Sequence, residues 1–164
     1  MKKIFYVILF TLSFINTQAQ NVPKNAYSSV LFGELGGPGF MSINYDARFN
    51  KSNDGLGYRI GLGGFGGVGL SVLTVPLGVN YLASKDNRNY FETGAGFTYA
   101  AASLSSDSCF VDGKNSINVF GHLNLGYRLQ PINGGFVFRV AINPLISSGG
   151  LFPFYGGVSF GYKF

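Results

Sequence analysis

The stretch FMSINYDARF, Phe40 to Phe49, changes character at every residue. Met41, Ile43, Tyr45, Ala47 and Phe49 fall on one parity, and Ser42, Asn44, Asp46 and Arg48 fall on the other. A period of two is the signature of a β-strand, because successive side chains leave opposite faces of the backbone. One face is apolar and the other is polar and charged. In a soluble sandwich the polar face meets water; in a membrane barrel the apolar face meets lipid. Which of the two applies decides what kind of object this chain is.

Working outward, turn-forming clusters divide the chain into eight such segments, near 26–36, 40–49, 57–65, 70–83, 89–102, 115–130, 135–144 and 154–164. The connections are rich in Gly, Pro, Asn, Asp and Ser: GGPG (36–39), NKSNDGLG (50–57), GFGGVG (64–69), SKDNRN (84–89), 103–115, QPINGG (130–135) and LISSGGLFP (145–153). Alternation is cleanest in the sixth, where Ile117, Val119, Leu123, Leu125, Tyr127 and Leu129 oppose Asn118, His122, Asn124, Gly126, Arg128 and Gln130. It is poorest in the first, where Val30 and Phe32 share the parity of Glu34. Pro76 lies in the middle of the fourth. A mid-strand proline removes a ladder donor, so a bulge is expected there.

The opening MKKIFYVILFTLSFINTQAQ reads as a secretory leader. Lys2 and Lys3 form its positive region, Ile4 to Ile15 its apolar region, and Thr17-Gln18-Ala19 a cleavage site after Ala19. Residues 20–164 then form one domain. Removing Lys2 and Lys3 leaves ten basic against seven acidic residues, a net +3 with no basic run, which gives no case for nucleic acid. Cys109 is the single cysteine, so no internal disulfide can form in an exported chain. Charged residues make up only 12% of the sequence, against 25 glycines, 17 phenylalanines and 10 tyrosines. An exported chain that is apolar in total yet alternates locally is what a membrane barrel requires.

The polar parity says which face points in. Gly61, Gly63, Gly78, Gly94, Gly96, Gly126 and Gly161 all sit on it, beside Arg59, Glu92 and Arg128. A solvated face gains nothing from glycine, whereas the lumen of an eight-stranded barrel is just wide enough for its own side chains. The inward set is then Glu34, Asp46 and Glu92 with Arg48, Arg59, Arg128 and Arg139, joined by His122, with no lysine before Lys163. The planar guanidinium suits a buried network with carboxylates better than an ammonium does. Aromatics on the outward parity (Phe49, Tyr58, Tyr81, Phe91, Tyr127, Phe136, Tyr162, Phe164) cluster at the strand ends nearest the termini, as an interfacial girdle would.

In SINYDARF, YRIGLG, FETGAGF, LGYRLQPINGGFVFRV and GVSFGYKF the chain resembles the small outer-membrane β-barrel proteins, the OmpA-type and OmpX-type eight-stranded barrels, over residues 25–164. The resemblance implies an all-β, antiparallel up-and-down transmembrane barrel in the outer membrane of a Gram-negative bacterium. It also implies a barrel-assembly signal in Phe160, Tyr162 and Phe164, read by the assembly machinery. The chain stops at Phe164, so the stand-alone form is expected, without a peptidoglycan-binding domain.

Other motifs carry less. GLGGFG (61–66) fits GxGxxG, but a strand follows where a phosphate-binding helix is needed. His122 has no outward serine beside it for lipid hydrolysis, and Cys109 with Asp107 and Asp112 reads as a solvated connection. The expectation is a non-enzymatic monomer without cofactor or metal, in contact with outer-membrane lipid and with a closed, packed polar lumen. Its exterior connections 103–115 and 145–153 would meet ligands that the sequence does not name. The competing readings are a narrow channel or small-solute transporter and a secreted β-sandwich or lipocalin-like binder.

Overall fold

The computed structural model describes residues 28–67, 70–104 and 115–164. The leader, Cys109 and most of the 103–115 connection lie outside these. Ten strands are present: β1 (Ser29–Gly36), β2 (Met41–Arg48), β3 (Gly55–Gly67), β4 (Leu70–Ser84), β5 (Asn89–Leu104), β6 (Asn115–Leu129), β7 (Gly135–Ile142), β8 (Leu145–Ser147), β9 (Gly150–Phe152) and β10 (Gly156–Lys163). All the strand pairings are antiparallel, and β5 pairs with β6 to close the sheet on itself.

The closed sheet has eight staves because β7 runs on into β8, and β9 into β10. Asn143 and Pro144 interrupt the seventh stave without a register change: Leu125 pairs with Ile142, and Gly121 with Ile146. The 145–153 stretch, expected as a connection, is therefore mostly strand, and the hairpin turns at Ser148–Gly149. GFGGVG is likewise mostly strand, since β3 continues through Gly67 and pairs Gly66 with Ser71.

The bulge expected at Pro76 is absent. Pairing between β3 and β4 lapses only at Gly61 and Leu62 and resumes at Gly63↔Thr74 in the same register, while Pro76 keeps its place opposite Thr98 on β5. The ring fits because it turns into the barrel, where a side chain at Gly61 or Gly39 would meet its Cγ. The bulge lies instead at another proline. From Ile142↔Gly156 to Leu145↔Phe152, one side advances three residues and the other four, so Pro153–Tyr155 carries an extra residue. Phe154 is thrown outward and is 92% exposed.

Burial is inverted relative to a soluble domain. The outward parity of every stave is exposed and apolar, including Ile43, Leu62, Val79, Phe97, Val119 and Leu125. Arg128, Arg139, Glu92, Asn143 and Thr74 are at 0%. Among the described residues the one buried apolar cluster, Val30, Phe32 and Val137, lies inside the lumen. The phase break of the first strand is thus a real feature: Val30 and Phe32 point inward with Glu34.

Candidate functional site

The lumen gathers every charged residue that the alternation points inward, and alternation alone places them, since each is two, four or more even steps from the next inward residue of its strand. Glu34, Asp46, Arg48, Arg59, Glu92, His122, Arg128 and Arg139 are all buried. Three carboxylates organise four guanidinium groups. Glu34 Oε1 accepts from Arg139 Nη1 at 2.7 Å, and its Oε2 accepts from Arg59 Nη2. Asp46 accepts from Arg48 Nη2, from Arg128 Nη1 at 3.2 Å and from Asn80 Nδ2.

Glu92 has the hardest task. Arg128 and Arg139 are directly opposed on β6 and β7, a like-charge pairing that a sheet disfavours. Glu92 Oε2 lies 2.9 Å from Arg139 Nε and 3.1 Å from Arg128 Nε, so one carboxylate oxygen bridges both. The Arg139 contact is a well-directed hydrogen bond, whereas the Arg128 contact is an ion pair with poor hydrogen-bond alignment. Asn124 completes the ring, donating to Glu92 Oε1 at 2.7 Å and accepting from Arg139 Nη2 at 2.7 Å.

Two classes of participant lie outside the charged set expected from the alternation. Phe32 looked like a fault in the first strand, yet Arg59, Arg128 and Arg139 stand 5.1, 5.9 and 5.6 Å from its ring centre. Its π-face offers these cations an attraction that no carboxylate supplies. The signal was present in the shared parity of Phe32 and Glu34. The second class is neutral: Asn44, Asn80 and Ser159 fill remaining hydrogen-bond positions, with Asn80 bonded to both Arg48 and Asp46. Nothing short of knowing which strands become neighbours could assign those partners.

Glycine makes the space. A Cβ at Gly61 would collide with the Asn44 side chain, one at Gly161 with Phe32, and one at Gly96 with the Leu77 carbonyl and His122 Nε2. His122 itself shares its Nδ1 with Thr98 Oγ1 at 3.3 Å. Beside it lies a cavity of about 10 Å³, bounded by Arg59, Asn80, Glu92 and Asn124, no more than one water molecule would occupy. A far larger concavity, about 610 Å³, lies on the outer wall over Gly33, between Leu35, Met41, Ile43, Leu62 and Phe160.

Of the proposed assembly signal, Phe160 and Phe164 are outward and about half exposed, and Tyr162 packs 5.6 Å from Phe164. The girdle aromatics Phe49, Tyr58, Tyr81, Phe91, Tyr127 and Phe136 are exposed on the outer wall. Outside the wall, Asp86 in the β4–β5 turn accepts from the Asn89 backbone and side chain and from the Arg88 backbone, which hold its carboxyl well below the usual carboxylate range.

No protein-family model matches the sequence, and no curated protein sequence matches it significantly. Solved structures do match. The N-terminal β-barrel domain of Pseudomonas aeruginosa OprF superposes with a TM-score of 0.62 at 13% identity, over 85% of this chain and 98% of that domain. The attachment invasion locus protein Ail of Yersinia pestis gives 0.56 at 15%, over 85% and 99%, and has also been solved with the heparin analogue sucrose octasulfate. Neisserial surface protein A gives 0.51 at 10%, over 84% and 92%. Identities this low speak for architecture alone: the chain has the closed eight-stranded antiparallel barrel fold that these structures share.

Proposed function

We propose that the chain is an integral outer-membrane protein of a Gram-negative bacterium, exported by the leader at 1–19. Its barrel would be a packed, non-enzymatic and non-conducting anchor for the connections at the end away from the termini. The observation that carries this reading is the ring Glu34–Arg139–Glu92–Arg128–Asp46, whose side chains are at most 2% exposed. A solute crossing the lumen would have to break several charge-assisted hydrogen bonds at once and leave unpaired charges behind. The apolar wall and its aromatic girdle support lipid as the surrounding solvent. Phe160, Tyr162 and Phe164 would then serve the assembly machinery, and the protein would act as a monomer.

Planar-bilayer recording tests the anchor against the channel. Silence at high salt is the expected result, and reproducible conductance steps would hand the function to a narrow pore. Heat-modifiable gel migration and fractionation with the outer membrane test the location. No Lys or Arg lies at the far end among the described residues. Contact by polar and aromatic groups is the better expectation for that rim.

A further inference from the structure

Lys163 differs from the other cations of the lumen. Each guanidinium there has a carboxylate oxygen within 3.2 Å, whereas no acid pairs with Lys163 among the described residues. Its side chain turns inward at the last position of β10, across from Val30 on β1 and Gly135 on β7, and the residue is 3% exposed. The ammonium places its hydrogens on three neutral acceptors. These are Asn53 Oδ1 at 2.6 Å, the Ile132 carbonyl at 2.6 Å and the Pro131 carbonyl at 3.0 Å.

The acceptors sit on two turns that are not neighbours. Asn53 lies between β2 and β3, and Pro131 and Ile132 lie between β6 and β7, with β1 and β10 standing between the two hairpins. Among the described residues one other bond joins the turns: Asn53 Nδ2 donates to the Ile132 carbonyl at 3.5 Å, the weak limit of a hydrogen bond. Lys163 therefore ties both turns across the mouth at the end that carries the termini. Inward of the tie, Gln130 and then Arg128 follow along β6, with Tyr90 paired to Arg128 on β5, each at most 1% exposed.

We propose that Lys163 is a latch, holding these two turns shut over the ionic ring, and that its release opens the mouth without unfolding the wall. Release breaks no rung of the sheet, because all three acceptors belong to turns, where water can replace the ammonium. Opening also favours hydration. Tyr90 Oη, Arg128 Nη2 and Gln130 Oε1 are buried without a hydrogen-bond partner among the described groups, and polar atoms left so are costly. One side chain thus holds closed a mouth whose interior gains by being wetted.

A thiol placed at Gln130 reports the opening. In a Cys109→Ser background, Gln130→Cys in the detergent-folded barrel is treated with a charged methanethiosulfonate, and urea unfolding is followed on the same preparations. Lys163→Met keeps the length of the stem and loses the donors. It should speed labelling about tenfold while the urea midpoint stays in place. Asn53→Ala, which removes one of the three acceptors from a turn, should give a smaller rise in the same direction. Labelling that neither variant accelerates overturns the latch. A rate that climbs only in step with a falling midpoint also overturns it, since the residue then merely supports the fold. Where Lys163→Met yields no folded barrel, Asn53→Ala decides by the same two criteria. The measurement asks nothing of the membrane, so its outcome is separate from that of the conductance recording.

Discussion

The two halves of the lumen solve the problem of filling a barrel in different ways. The half nearer the termini is ionic: seven charged side chains, three asparagines and the Phe32 ring interlock across seven strands, β1 to β7. The far half holds no Asp, Glu, Lys or Arg among the described residues beyond the level of Glu34. It is filled by Thr74, Pro76, Thr98, Ala100 and His122, and it is closed at β1–β2 by Phe40. Phe40 takes a positive φ of 62°, an unusual conformation for a bulky residue, and is held there by edge contacts with Phe65 and Tyr155. The ionic half owes its order to directional bonds with many partners, and the far half to shape. Irregular backbone collects in the second: the lapse at Gly61–Leu62, the break at Asn143–Pro144 and the bulge at Pro153 all lie there.

The comparison predicts unequal sensitivity. Glu92→Leu in the ionic half leaves Arg128 and Arg139 opposed without their bridge and should cost about 3–5 kcal/mol. Urea unfolding in phospholipid vesicles reads this directly, and a loss below about 1 kcal/mol would mean that water, not the network, fills that half. Next in size is the orientation of the wall. Ile43→Arg should cost about 2–4 kcal/mol if Ile43 faces the hydrocarbon midplane. Spin labels at 43 and 44 sharpen the point, because dissolved oxygen should relax the label at 43 more than the one at 44.

A third test stays within glycine. Gly96→Val in the far half drives a side chain into the Leu77 carbonyl and His122, with about 1–3 kcal/mol lost. Gly33→Ala, whose Cβ on the outer wall meets only the Phe160 carbonyl oxygen at 4.0 Å, should stay within about 0.5 kcal/mol. Equal effects would show that shape does not govern the far half. The smallest effect belongs to Asp86. Its depressed pKa means that its hydrogen bonds support the turn at pH values above the ordinary carboxylate range, about 4, and lose that support as the pH falls below it. Protection of the Asn89 amide, its exchange measured against the intrinsic rate at each pH, should fall in acid, and Asp86→Ala should remove that pH dependence.

Much of this was legible in the sequence, because a strand encodes its two faces in parity and a barrel reads the parity eight times. The inward positions of Asp46, Arg59, Glu92, Arg128 and Arg139 followed from local pattern alone. Their partners did not: Glu34 meets Arg139 across 105 residues, a separation that only closure of the sheet resolves. Proline was the other blind spot. Pro76 and Pro153 both signal trouble in a ladder, but whether a bulge follows depends on the space beside the ring. Glycines at 39 and 61 supply that space for Pro76. The stretch around Pro144 and Pro153 read as a loop because two breakers nine residues apart hide the three-residue strands between them.

The lopsided placement of charge also bears on how such a barrel could be threaded into a bilayer. Whichever rim crosses the acyl chains first must shed its hydration on the way, and ionised side chains resist that most. Apart from the 105–114 connection, with Asp107, Asp112 and Lys114, the far rim carries no ionised residue to drag across. On the proposed membrane reading, the described residues favour insertion with the far rim leading.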